Sequence, residues 1–118
     1  MEEILIVGHS PGKVEAGKSP TRKRVAGWLK ETGVESWDWT NLVHYHAPSL
    51  KMSDVTLKPS YVKRYSKVIA LGRLAEGWLE SQGIEHLAVP HPSGLNRIWN
   101  DPDVEPMVVE KIKKYVKS

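Results

Sequence analysis

Ile4-Leu5-Ile6-Val7-Gly8 and Val68-Ile69-Ala70-Leu71-Gly72 decide the fold of this chain. Each is a short, unbroken apolar run that stops at a glycine. A strand with one solvated face alternates apolar and polar residues, whereas a strand that is apolar on both faces is covered on both, as in a parallel sheet. Helical patterns lie between and beyond the two runs. Ser19-Pro20 supplies an N-cap and a first helical residue, Val25, Trp28, Leu29 and Thr32 follow at helical spacing, and Gly33 ends the helix. Trp39 to Val43 reads as a second strand with Asn41 inside it. A loop opens at Ala47-Pro48-Ser49 and runs to about Thr56, and Pro59 starts a helix through Tyr65. Leu74, Ala75, Trp78 and Leu79 mark the apolar face of a helix ended by Gly83. His86 to Val89 is a fourth strand stopped by Pro90, and Pro106 to Lys117 is a last helix with Val108, Val109, Ile112, Tyr115 and Val116 inward. This alternation predicts an α/β fold, a three-layer α/β/α sandwich with a central four-stranded parallel sheet, in one domain over residues 1–118.

The composition narrows the chemistry. The chain has 118 residues, 40% hydrophobic and 26% charged, enough to fill one core. It has no Cys, which excludes a disulfide scaffold, a cysteine nucleophile and any thiolate-bound zinc or iron–sulfur site. It has no Phe and five Trp, so the aromatic roles fall to Trp and Tyr. No apolar run reaches the roughly 18–20 residues of a membrane span. The start, Met1-Glu2-Glu3, is acidic and unlike a signal peptide, so a cytoplasmic location is expected. The net charge of +3 is unevenly spread: from Lys13 to Lys30 stand Lys13, Lys18, Arg22, Lys23, Arg24 and Lys30 against the single acid Glu15. Such a cluster can neutralise phosphates or can be a solvated helix face. Two further clusters, Lys58 to Lys67 and Lys111 to Lys117, read as solvated faces.

Ligands of parallel sheets bind beyond the carboxyl ends of the strands. The residues there are Gly8-His9-Ser10-Pro11-Gly12, then Asn41 with His44 and His46, then Gly72, then His91-Pro92-Ser93-Gly94. The glycines of the first turn let backbone approach a ligand closely. Gly12 to Ser19 matches the Walker A letters, but the preceding strand ends at Gly8, four residues early, and no strand ending in Asp is evident to hold Mg²⁺. The match is read as accidental. Pro90 and Pro92 stiffen the backbone around His91, which suits an imidazole held in a fixed place. Ser93-Gly94 allows a tight turn, and Arg97 can reach a phosphate or a carboxylate. Asn41 needs partners in its apolar strand, and either a neighbouring loop or the edge of a ligand can supply them. His44 and His46 fall on one strand face by alternation, but with no third ligand no metal is expected.

The order of these pieces resembles the uracil-DNA glycosylase superfamily. Gly8-His9-Ser10-Pro11-Gly12 looks like its first motif, Thr40-Asn41-Leu42-Val43 like the second-strand segment whose Asn reads the base, and Val68 to Ala75 like its third strand and following helix. His91-Pro92-Ser93-Gly94 looks like its last motif, and the continuation Leu95-Asn96-Arg97 is similar to the mismatch-specific branch. The first three pieces look more like the branch that carries an iron–sulfur cluster, which the lack of Cys excludes here.

The resemblance implies a DNA glycosylase that hydrolyses the N-glycosidic bond of a flipped uracil or other modified base. Asn41 would pair with the base edge beside Gly8, and His91 would donate to a base carbonyl and stabilise the departing anion. Pro11, Gly12, Pro92, Ser93, Gly94, Asn96 and Arg97 would grip the DNA backbone, Leu95 would wedge into the duplex, and Lys18, Arg22, Lys23 and Arg24 would follow the phosphates. The first motif usually offers a carboxylate or Asn to position water; here His9 and Ser10 stand there, with His9 as the candidate base. Thr21 or a neighbour stands where the family's stacking Phe would be, and Tyr45, His46 and Trp99 are the candidate substitutes. The expected partner is DNA, with no cofactor, no metal and a monomeric state. A silent member of the fold that binds nucleic acid or a nucleobase is the alternative, and a nucleotide-phosphate enzyme using Gly12 to Ser19 is a third reading.

Overall fold

The computed structural model describes residues 4–12, 19–93 and 96–118. Four strands, β1 (Ile4–Gly8), β2 (Asp38–Asn41), β3 (Lys67–Leu71) and β4 (Leu87–Val89), form one sheet in the order β2-β1-β3-β4. Every pairing in it is parallel. Helix α1 (Pro20–Glu31) connects β1 to β2, and α2 (Pro59–Val62) lies on the way from β2 to β3. Helix α3 (Arg73–Ser81) connects β3 to β4, and α4 (Val104–Lys117) closes the chain.

The two central strands are buried from end to end, apart from Lys67 at the start of β3, as their apolar runs require. Their side chains divide by parity. Ile4, Ile6, Ile69 and Leu71 join Val25, Trp28 and Leu29 of α1 and Val108 and Ile112 of α4 in one core. Leu5, Val7, Val68 and Ala70 join Ala75, Trp78 and Leu79 of α3 and Val62 of α2 in the other. The result is helices on both faces of a four-stranded parallel sheet. Each fully buried Leu, Ile or Val contributes about 1.5–3 kcal/mol relative to exposure, so neither face is dispensable. No helix among the described residues is long and apolar enough to cross a membrane.

Several boundaries differ from the sequence expectation: β3 begins at Lys67 rather than Val68 and β4 at Leu87 rather than His86, and three differences are larger. The second strand is Asp38–Asn41 rather than Trp39 to Val43. Its partner β1 ends at Gly8, which pairs with Asn41, so no ladder remains beyond that point. The chain turns instead: Leu42 donates its N–H to the carbonyls of Gly8 and His9 and accepts at its own carbonyl from Thr56 and Leu57. Leu42 fills the core under the sheet rather than extending the strand. The last helix begins at Val104, two residues before Pro106. Pro106 sits in the first turn, where a missing N–H costs nothing because first-turn donors have no partner inside the helix. The helix expected over Pro59 to Tyr65 is regular only to Val62. The loop from Ala47 to Thr56 holds a 3-10 turn at Met52–Asp54.

The connection from β1 leads to one side of the sheet and that from β3 to the other. The carboxyl ends of β1 and β3 therefore flank a topological switch point, where such sheets bind ligands.

Candidate functional site

A cavity of about 470 Å³ opens at that point. The turn after β1 (Gly8 to Gly12) forms its floor. Ser19, Thr21 and Arg22 at the start of α1, Trp39 and Asn41 on β2, the loop at His46 to Pro48, and His91 and Ser93 after β4 form its walls. Of the residues singled out in the sequence, His91, His9, Ser10, Asn41, Gly8, Pro11, Gly12, Ser93 and Arg22 converge here.

His91 is held on all sides. Its carbonyl accepts from Asn96 Nδ2 at 3.1 Å and from Trp99 Nε1 at 2.9 Å. Arg24 donates to the carbonyl of Pro92 at 3.4 Å. Gly72, with φ of +91°, lies under the ring: a Cβ built there would stand 3.3 Å from His91 Cβ and 3.4 Å from Cδ2. Only glycine meets both the backbone conformation and the space. The backbone N–H of Ser93 donates to His91 Nδ1 at 3.2 Å. A neutral imidazole that accepts at Nδ1 carries its proton on Nε2. Burial, then the nearby His9, lowers the basicity of His91 from the ordinary value of 6.5, so the neutral form prevails at pH 7.

Asn41 is oriented by a neighbour on its own strand. Trp39 Nε1 donates to Asn41 Oδ1 at 3.2 Å, which fixes the amide and makes Nδ2 its donor end. Gly8 makes this fit: a Cβ there would meet Asn41 Oδ1 at 2.7 Å and Trp39 Cζ2 at 3.0 Å.

The first turn is stapled to the loop after β2. Ser10 Oγ donates to the Ala47 carbonyl at 2.8 Å and accepts from the Ala47 N–H at 3.3 Å. His9 Nε2 lies 3.1 Å from the same carbonyl. Because a carbonyl only accepts, Nε2 carries the proton and Nδ1 holds the lone pair of the neutral ring. His46 Nδ1 donates likewise to the Pro11 carbonyl at 2.9 Å. Ser10 Oγ and His9 Nε2 are thus both committed to Ala47.

Several expected roles change. Tyr45 is 53% exposed and does not line the cavity. His44 and His46 are not on a strand, because β2 ends at Asn41, so the alternation argument does not apply to them. Trp99 packs on Trp28 at 5.5 Å between ring centroids, and as the anchor of the His91 carbonyl it supports the site from behind. Asn96 caps a 3-10 turn (Arg97–Asn100) with its Oδ1 while its Nδ2 holds His91. Both ends of its side chain therefore engage the scaffold. The basic run on α1 fans out. Arg22 faces the cavity, Lys23 is exposed, and Arg24 pairs with Glu105 at 3.1 Å and lies over Trp99. Arg97 is exposed on the 3-10 turn. Lys18, Gly94 and Leu95 lie outside the described residues, as does most of the Walker-like segment.

Trp39 was not singled out for the site. Its signal was the spacing Trp37, Trp39, Asn41, which puts all three on one side of an extended chain. Arg22 lies over both rings, 5.6 Å from the Trp37 centroid and 5.3 Å from that of Trp39.

The cavity lining carries one guanidinium and three imidazoles, and no Asp or Glu among the described residues. No group of three or more His, Cys, Asp or Glu among the described residues is placed to hold a metal. No family model, no curated protein and no solved structure gives a significant match to this chain.

Proposed function

We propose that the chain is a uracil-DNA glycosylase-like protein that takes a flipped base into this cavity and hydrolyses its N-glycosidic bond. The observation that carries the reading is the convergence of two fixed hydrogen-bond donors, His91 Nε2–H and Asn41 Nδ2–H, in one cavity at the sheet's switch point. Two donors select a base with carbonyl acceptors, such as uracil or hypoxanthine.

As the glycosidic bond breaks, its electron pair passes to the base, and negative charge gathers on a ring carbonyl. A neutral imidazole donor aimed there stabilises that charge without first giving up a proton. Lowered basicity and the Ser93 bond keep His91 in that form. Water bonds through its oxygen to the sugar C1′ that the base leaves and gives a proton to His9 Nδ1, the ring nitrogen turned away from the Ala47 contact, so that the base departs as the anion and the sugar keeps a hydroxyl. Arg22 offsets the charge of the adjoining phosphate.

One observation favours a second reading, binding of nucleic acid or a nucleobase without cleavage. No carboxylate among the described residues lines the cavity, and Ser10 is tied up by Ala47. The two readings part in one assay: incubation with oligonucleotides containing uracil, hypoxanthine or a mismatch, with free base identified by chromatography. Released base supports the first. Saturable binding with no released base supports the second and rejects the first.

A further inference from the structure

Arg22 stands against two indoles, Trp37 and Trp39, whose ring centroids are 6.4 Å apart with planes tilted by 59°. Among the described residues no carboxylate pairs with its guanidinium; Arg24, two residues on and so on the other side of α1, takes Glu105. Arg22 and Trp39 line the cavity, whereas Trp37 lies outside it and borders a second hollow of about 490 Å³ beside Lys30. The seam therefore runs out of the cavity along β2, which is an edge strand and only half-buried.

We infer that this seam is a track for single-stranded DNA leading into the cavity, with bases stacking on the Trp37 and Trp39 indoles and Arg22 meeting the phosphate between them. The inference rests on the cavity being the base site. Indoles and a guanidinium plane offer stacking that any base can use, and a cation with no carboxylate partner among the described residues is suited to phosphate. Lys23 and Lys30, both exposed on α1, extend the positive charge alongside. Glu35, beside Trp37 in the second hollow, repels phosphate and ends the track there. In a duplex the bases stack on one another and show only their edges in the grooves, so paired DNA cannot use indole faces in this way.

The test is binding of a labelled oligothymidine and of a duplex of equal length, read by fluorescence anisotropy over a range of salt. Wild type binds the single strand more tightly, and affinity falls as salt rises. Trp37→Ala weakens single-strand binding on the order of tenfold and leaves duplex binding unchanged, while Trp37→Phe retains most of it. Because Trp37 also packs on the core, a thermal melt accompanies each variant, and Arg22→Gln gives a second loss with a shallower salt dependence. Tighter duplex binding by wild type, or single-strand affinity unchanged in a folded Trp37→Ala, overturns the track. Neither result depends on base release, so a protein that binds through the seam but excises nothing refutes the glycosylase reading alone.

Discussion

Ser93 donates its backbone N–H to Nδ1 of His91, and that bond places the imidazole proton on Nε2. The same loop gives its backbone to three scaffold side chains, Asn96, Trp99 and Arg24. His91 is therefore a positioned donor rather than a surface histidine.

The lowered basicity of His91 has a stability consequence with a definite sign. The unfolded imidazole, near 6.5, binds a proton more readily than the folded one. The contribution is present above pH 6.5 and is lost as the pH falls through the lower folded value. Thermal melts between about pH 7.5 and 5.5, on either side of the ordinary imidazole value of 6.5, are expected to show wild type losing more stability on acidification than His91→Gln. Equal losses contradict the assignment.

Gly72→Ala puts a methyl 3.3 Å from His91 Cβ at a φ of +91°. A cost of about 1–3 kcal/mol is expected from the strained backbone alone, along with a moved His91 ring. Chemical denaturation measures the first and the His91 imidazole NMR signals the second.

Asn41→Asp keeps an oxygen for Trp39 Nε1 but removes both amide donors. The fold is expected to persist, with Trp39 fluorescence near that of wild type, while binding of a carbonyl-bearing base is lost. Retained binding contradicts the donor role of Asn41.

Ser10→Ala breaks both bonds of the staple to Ala47. At about 0.5–1.5 kcal/mol net per hydrogen bond, a stability loss of about 1–3 kcal/mol is expected, and any loss of activity should follow it. His9→Gln should do the reverse, sparing stability more than activity. Denaturation curves and rates on the two variants separate these roles.

The core was legible because Ile4 to Val7 and Val68 to Leu71 are apolar on both faces, and few elements other than central parallel strands have that need. The Ser19 cap and the Pro20 start of α1 were equally local and stand as read. The end of β2 was not local: it depends on where β1 stops, which Leu42-Val43 cannot reveal. In the site, Gly8, His9, Asn41 and His91 were found because each lies at or just beyond the carboxyl end of a strand. The bracing duty of Arg24 was missed because it arises from a contact between distant segments, Arg24 with Pro92; Trp39, Asn96 and Trp99 act on near neighbours in the chain, but spacing alone does not say which side-chain atom meets which acceptor. A run of like charges on a helix gives no sign of which member faces inward.

The central claim is that His91 and Asn41 act together on a flipped base. The most direct measurement is the single-turnover rate of abasic-site formation in a single-stranded uracil oligonucleotide, read as alkaline strand breaks, for wild type and His91→Ala. Wild type is expected to produce breaks at uracil, and loss of the His91 donor to slow them on the order of a hundredfold or more. No breaks with wild type, or equal rates for the two proteins, would contradict the account.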